Sequence, residues 1–509
     1  MTKNQMMKFD FKYICLNYIL PLLFVAKLSF FAFYFTPLWD VPDETGHVSY
    51  ALEIFENGSF PVFGESRMHE NVIASQRVYE SSYKGTTRNW IAVHPPLYYL
   101  TLYPFAYVGN LLLPDNSLNS FELKVKILRS ANIFYSLIAL FFLVLLLNNF
   151  FSRTTSYAFA TILASIPMYT HLSSGATNDI FIFMNTVIFI YFLFIYHSSK
   201  RITHWFLSII FFAFALLSKA FAIFLTPLIL PYLLYFFKTR KLVFLFSIIL
   251  LVLGYSWHIM NFFLYGSILP NLNEVKIVTN ISFGEFFFTK PYFIETFKNF
   301  YAWIGWLGRG VSSENLKFIQ ANKFPLFYFT FFSFYILALC IYCELRLINN
   351  KILVKYIYIF LITLYVILFS LFVDGNNLSI NSISYFISMI FPLFIILFIS
   401  QFFNSTFKLN NLGNILNIKT FIYLLMILIF FIFIVKFYYV FLQNGYPRAV
   451  HGRYFLFILP LISLYVGILF NRFNINPFVN IFLTIMIPLV FVINEFYFYY
   501  SKIFPFYYS

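Results

Sequence analysis

Hydrophobic residues fill this chain in long blocks separated by short polar punctuation, and many blocks approach the roughly 20 helical residues that cross a hydrocarbon core. The pattern predicts spans near Tyr13 to Phe35, Asn132 to Phe150, Tyr157 to His171, Ile180 to Tyr196, Trp205 to Leu217, Phe221 to Phe237 and Leu242 to Phe263. Further spans are expected near Pro325 to Tyr342, Leu353 to Val373, Tyr385 to Phe402, Phe421 to Phe441, Tyr454 to Phe470 and Phe478 to Phe496, about thirteen in all. Pro96 to Leu113 is apolar but barely long enough to cross, follows Pro95 and holds Pro104 in its middle.

The basic residues decide how that stretch is read. If it does not cross, the short loops with Arg153, Lys200-Arg201, Lys238 to Lys241, Arg346 to Lys355, Lys408 to Lys419 and Arg472 share one side with Lys3, Lys8 and Lys12, as positive-inside requires. Pro96 to Leu113 is then an interfacial or re-entrant helix on the outer face, and the N-terminus is cytoplasmic. The expected fold is an all-α polytopic membrane domain over 1–509. A first external loop covers 36–130 and carries interfacial helices; a second covers 265–324. All acids except about two, Asp10 and Glu344, are expected outside or at the outer ends of spans.

Composition agrees with a membrane solvent: 61% of the 509 residues are hydrophobic, 24% aromatic and only 10% charged, with a mean hydropathy of +0.79. The formal charge of +15 does not indicate nucleic acid, because Lys and Arg are scattered through short loops and form no basic stripe. Cys15, Cys340 and Cys343 fall in or beside spans and suggest packing, not a disulfide framework or zinc site. The first hydrophobic run is too long for a signal-peptide core and lacks a small-residue cleavage site, so it is read as a retained span. The bias toward Phe, Ile, Asn, Lys and Tyr suggests an AT-rich, bacterial genome, hence a multi-pass protein of the plasma membrane.

Polar residues able to do chemistry gather outside. The first loop opens Asp40-Val41-Pro42-Asp43-Glu44-Thr45-Gly46-His47, where Pro42 suits a helix start and Asp43 would sit in the first turn. Spacings of four and three place His47 on the face of Asp43 and Glu44, a base with its orienting partner or a divalent-metal site. The plainer alternative makes Asp43 a helix cap and leaves Glu44 and His47 as solvated surface groups. The loop continues to His94-Pro95-Pro96-Leu97-Tyr98, and a later link carries Asn178-Asp179, either a helix cap or a second acidic site. Lys219, between two spans, either snorkels to the interface or meets an anion. Arg448, His451 and Arg453 precede a span on the outer side against the positive-inside trend; a bound phosphate or lipid headgroups would explain them.

The acidic pair after the first span, His94-Pro95-Pro96-Leu97, Asn178-Asp179 and Gly452-Arg453-Tyr454-Phe455 together resemble the GT-C glycosyltransferases. Within these, the likeness is to bacterial integral-membrane enzymes similar to protein O-mannosyltransferases and lipid A aminoarabinose transferases. It is strongest over Pro37 to Lys219 and His451 to Phe455, whereas Thr45-Gly46-His47 fits the family pattern only loosely. The resemblance implies transfer of a sugar from a polyprenyl phosphate to a protein, lipid or glycan acceptor on the extracytoplasmic face. It implies Asp43 as the base, Glu44 beside it and Asp179 as a second acid, with a divalent metal at Asp43, Glu44 and His47 as an option. Lys219, Arg448, His451 and Arg453 would hold the donor phosphate, supported by His47, His94, Asn178 and Tyr98. A transporter or flippase for lipid-linked sugars is the rival reading and predicts charges inside spans; a non-catalytic, lipid-sugar-binding partner is a third.

Overall fold

The computed structural model describes residues 15–79, 87–115, 117–268, 270, 279–289, 303–304, 319–320, 418–445, 451–470 and 482–508. The expected spans near 325–342, 353–373 and 385–402, as well as Arg448, lie outside these residues, as does most of the second external loop. Within the described residues the regular structure is almost entirely helical; the exceptions are a two-residue antiparallel pairing of Trp303–Ile304 with Ile319–Gln320 and an isolated antiparallel bridge between Arg67 and Arg88.

Six described helices are long and apolar enough to cross a membrane: α1 (Asn17–Phe35), Leu118–Leu147, Asn178–Ser199, Lys241–Tyr265, Leu424–Asn444 within a longer helix, and Thr484–Tyr508. Ala220–Leu228 and Leu230–Thr239 form a seventh candidate bent by 55°. The all-α polytopic architecture is therefore borne out. Between the first two spans lie three helices of the first long loop, α2 (Glu44–Asn57), α3 (Glu70–Tyr79) and α4 (Leu97–Leu112). The next helices are α5 (Leu118–Leu147), α6 (Arg153–Ala164), α7 (Pro167–Ser173), α8 (Asn178–Ser199) and α9 (Ile202–Leu216).

Several boundaries differ from expectation for local reasons. The span expected at Tyr157 to His171 is two helices, because Ile166 precedes Pro167 and takes an extended conformation (φ −80°, ψ 120°). The block from Phe221 to Phe237 begins as a 3₁₀ segment containing Pro227 and resumes as α10 (Leu230–Thr239) with Pro231 in its first turn. α5 starts at Leu118, well before Asn132, with Ser117 accepting a capping bond from the Ser120 N–H at 3.3 Å. Its 30 residues span about 45 Å and outreach a hydrocarbon core of about 30 Å, so several turns extend toward the first long loop.

Packing follows an inverted pattern in α11 (Lys241–Tyr265). Ser247, Leu251, Gly254, His258 and Asn261 line the buried face at helical spacing, while Leu242, Leu245, Phe246, Ile249, Leu253 and Phe262 are exposed. A Cβ on Gly254 would stand 2.9 Å from the Ala213 Cα, so this glycine lets α11 approach α9 closely. α4 likewise buries Tyr98, Tyr99, Leu102 and Ala106 and exposes Tyr103, Tyr107 and Leu111, the one-sided burial of a helix lying against the domain. The remaining described helices are α12 (Phe283–Thr289), α13 (Ile418–Asn444), α14 (Leu459–Phe470), which follows the 3₁₀ segment Gly452–Ile458, and α15 (Thr484–Tyr508).

One acid stands inside a span, contrary to the expectation that such acids lie outside. Glu495 of α15 accepts Lys27 Nζ of α1 at 2.7 and 2.8 Å, Thr170 Oγ1 bonds the same carboxylate, and Lys27 also donates to the Ala164 carbonyl at 2.6 Å. The pair joins α1 and α15 beside the α6–α7 break, where the Ala164 carbonyl supplies the extra acceptor. In detergent, Lys27→Met and Glu495→Gln should each lower the thermal unfolding midpoint. The double variant should lose less than the sum, leaving a coupling of about 1–3 kcal/mol; strictly additive losses would show that the contact does not stabilise the fold.

Candidate active site

The turn from Thr36 to Glu44 is built around one fully buried ion pair. Arg129 of α5 donates from Nε and Nη2 to the two Glu44 carboxylate oxygens, both at 2.7 Å. Its other N–H groups donate to the carbonyls of Ala32 (3.0 Å), Thr36 (2.7 Å) and Pro37 (2.8 Å), which uses all five guanidinium donors. Glu44 also accepts the backbone N–H groups of Trp39 and Ala176, each at 3.0 Å. With both side chains excluded from solvent and every strong acceptor direction filled, Glu44 has no capacity to take a proton from a substrate. Its assignment beside Asp43 as a catalytic acid is thereby corrected: it shapes the turn.

That turn forces Asp43 outward. α2 begins at Glu44, one residue later than the first-turn reading of Asp43 requires, and Asp43 itself takes a left-handed conformation (φ 63°, ψ 7°). Aspartate tolerates that region better than most residues. Its carboxylate caps no helix. Oδ2 accepts Arg453 Nη2 at 2.6 Å and Oδ1 accepts Trp90 Nε1 at 3.2 Å, with the side chain still 20% exposed.

Asp179 stands in the first turn of α8, where Thr177 is the cap position and makes no side-chain capping bond. Its Oδ1 accepts Lys219 Nζ at 2.6 Å, and its Oδ2 lies 3.6 Å from Arg453 Nη1. The result is a chain of alternating charge, Asp43, Arg453, Asp179 and Lys219, that unites three parts of the sequence. Lys219 neither snorkels outward nor stands alone; it is buried and paired.

The supporting residues hold the walls. Asn132 donates to the carbonyls of Gly175 (2.5 Å) and Thr177 (2.8 Å) and accepts Tyr98 OH at 3.2 Å, while Asn178 donates to the Ser218 carbonyl at 3.1 Å. Tyr98 and Asn178 thus fix the link that presents Asp179. That link lies so close to the first turn that a Cβ on Gly175 would fall 2.5 Å from the Val41 side chain. His47 Nδ1 bonds Tyr99 OH at 2.9 Å, Tyr99 stacks on Tyr50 with ring centroids 3.7 Å apart, and His94 stacks 6.0 Å from His47. The buried His94 Nδ1 has no hydrogen-bond partner among the described residues.

Burial sets the protonation states here. Desolvation, with Lys219 nearby, pushes His47 down to about 3 despite Asp43 and Asp179, so its ring is neutral at pH 7. Burial likewise holds His94 well below the usual histidine range. The His451 pKa is lowered by burial and by Arg453, so at neutral pH it would meet a phosphate as a neutral N–H donor. For Asp43, burial alone would raise the pKa, but Arg453 foremost outweighs it and holds the carboxyl below the ordinary aspartate range.

The Asp43, Glu44 and His47 metal option does not fit this geometry. Glu44 is committed to Arg129, His47 Nδ1 to Tyr99, and Asp43 to Arg453, and among the described residues no group of three or more His, Cys, Asp or Glu side chains is placed to hold a metal ion. Arg129, Asn132 and Trp90 escaped sequence reasoning because each acts through a long-range partner. Lys436 escaped it too, although a lone lysine inside the apolar block Phe421 to Phe441 is itself a signal.

The two neighbouring acids should separate by measurement. Glu44→Gln strips Arg129 of its counter-charge and should cost about 3–5 kcal/mol of stability, read as a large fall in the unfolding midpoint. Asp43→Asn should cost clearly less, since Asp179 remains 3.6 Å from Arg453. A greater loss from Asp43→Asn would reverse the two roles.

Comparison with known proteins adds a partial family match. Residues 121–259 match the model of the family described as dolichyl-phosphate-mannose-protein mannosyltransferase, a stretch that contains Arg129, Asn132, Asp179 and Lys219. No curated protein sequence matches the chain. Two solved structures are similar, both crystal structures of ArnT from Cupriavidus metallidurans. The apo state has 16% identity, covers 93% of this chain and 77% of that one, and has a TM-score of 0.35. The state bound to undecaprenyl phosphate has 15% identity, covers 89% and 76%, and has a TM-score of 0.32. Over residues 121–259 the chain is thus similar to that mannosyltransferase family, in line with the resemblance to GT-C glycosyltransferases read from the sequence.

Proposed function

We propose that this protein transfers a sugar from a polyprenyl-phosphate donor to an acceptor on the extracytoplasmic face, with Asp43 taking the acceptor proton. The observation that carries this reading is the charge chain Asp43, Arg453, Asp179 and Lys219, a base beside cations suited to a phosphate. In the transfer, the bond between the anomeric carbon and the phosphate oxygen breaks with its electrons staying on phosphate. The acceptor heteroatom bonds to that carbon from the other face, and its proton passes to the carboxylate.

In this reading Arg453 has two partners in turn. With no donor present it pairs with Asp43; an arriving phosphate competes for its fork and releases the carboxylate toward the acceptor. Asp179 keeps Lys219 extended toward the same space. His94, neutral and with a spare ring nitrogen, suits a hydrogen bond to a sugar or acceptor hydroxyl. The transporter reading draws support from charges inside spans, but Lys27 and Glu495 close on each other and serve packing.

The experiment is release of polyprenyl phosphate from a panel of lipid-linked sugars by the purified protein, with candidate acceptors and with or without divalent metal. Asp43→Asn should lower turnover about 10²- to 10³-fold while the protein stays folded. A wild type that releases no polyprenyl phosphate from any donor, yet moves lipid-linked sugars across vesicles, would replace the transferase by a flippase.

The pH profile offers a separate check. Because the Asp43 pKa is depressed in the folded state, its stabilising contribution is present above the unfolded value of about 3.9 and is lost only as pH falls through the folded one. In donor-free enzyme the base is therefore ionised throughout the mildly acidic range, and kcat/KM should show no carboxylate limb between about pH 7 and about pH 5. A limb near pH 6 would assign the base to another group.

A further inference from the structure

Charge does not balance around Arg453 among the described residues. Asp43 and Asp179 are matched by Arg453 and Lys219. A third cation reaches the same place: Lys436 of α13 holds its Nζ 4.1 Å from the Tyr454 ring centroid, 4.8 Å from Phe221 and 5.6 Å from Phe433. Lys219 Nζ lies over two of the same rings, 5.7 Å from Phe221 and 5.9 Å from Tyr454. Two ammonium groups thus flank one aromatic pair, and Lys436 forms an ion pair with no carboxylate among the described residues. Ring faces stabilise a cation by only about 1–2 kcal/mol, well short of what an ammonium loses on leaving water. An ammonium whose described neighbours are ring faces and two further cations is set to receive an anion.

We infer that Lys436 receives the negative charge that develops on the lipid phosphate as the sugar leaves. The inference rests on the transferase reading above and deepens it. The donor is a phosphodiester with one negative charge. When the bond from the anomeric carbon to the phosphate oxygen breaks, the electron pair stays on that oxygen, the acceptor proton goes to Asp43, and the product is a phosphomonoester with a second ionisable oxygen. Lys219 and Arg453 already share carboxylates, so they offset charge present before the reaction only by loosening those pairs. Lys436, with no carboxylate partner among the described residues, contributes more as the second negative charge appears, the condition for stabilising a transition state over a ground state.

The test measures binding, not turnover. Full-length protein in detergent at about pH 8, where a phosphomonoester is a dianion, is titrated with farnesyl phosphate, its methyl ester (a monoanion), phosphatidylglycerol and inorganic phosphate. Wild type should bind farnesyl phosphate at least about tenfold more tightly than the methyl ester, a gap of about 1.4 kcal/mol. Lys436→Met should lose that preference while still binding the methyl ester, which also reports that the variant is folded, and Lys436→Arg should keep it. A wild type without the preference, a Lys436→Met variant that retains it, or equal competition by phosphatidylglycerol or inorganic phosphate would each overturn the inference. A wild type that binds neither farnesyl compound defeats the donor reading itself, and so the two failures are distinct.

Discussion

The site depends on the ion pair of Arg129 with Glu44. A guanidinium withdrawn from water is costly unless every donor is met, and here one arginine ties a carboxylate to three backbone carbonyls at the end of α1. The carboxylate in turn collects backbone N–H groups from the first loop and from the link before α8. Three separate pieces of backbone thus meet at a point no solvent reaches. With both Trp39 and Asp43 in left-handed conformations (φ 69° and 63°), the intervening turn has little freedom except the one that aims Asp43 away from Arg129.

From that anchored turn, the second ionic system is assembled across the molecule. Asp43 and Arg453 are 410 residues apart, yet their side chains are 2.6 Å from each other, and Asp179 and Lys219 complete the row. The two systems do different work with the same functional groups. Where every hydrogen-bond direction is used internally, the charge is structural. Asp43 is partly exposed, and Asp179 Oδ2 has no hydrogen bond among the described residues, so these charges are less fully committed than those of Arg129 and Glu44.

Much of this was legible in residue pattern. Hydropathy located α1, α5, α8, α11 and α13, because a block of some 20 apolar residues has few alternatives to a spanning helix. The spans expected at Tyr157 to His171 and Phe221 to Phe237 are both broken, beside Pro167 and beside Pro227 and Pro231, a signal that hydropathy alone does not weigh. In the site, Asp43, Asp179, Lys219 and Arg453 converge as a set, but Glu44 could not be separated from Asp43 by local spacing. What divides them is Arg129, 85 residues further on, and nothing within the Asp43 to His47 segment specifies that partner. For His451, burial and the neighbouring Arg453 lower the pKa, an effect that sequence alone does not report. Glu495 and Lys436 show that a single charge in an apolar block merits the same attention as a cluster.

The pairing of Lys27 with Glu495 carries a temporal consequence. During synthesis the lysine is made 468 residues before its partner, an interval of roughly half a minute to a minute and a half at about 5–20 residues per second. Through that interval α1 sits in the bilayer with an unpaired ammonium, held by snorkelling or by passing contacts. The contact between α1 and α15 can therefore close only after nearly the whole chain has been made, and a chain cut short before Glu495 would leave Lys27 without this counter-ion.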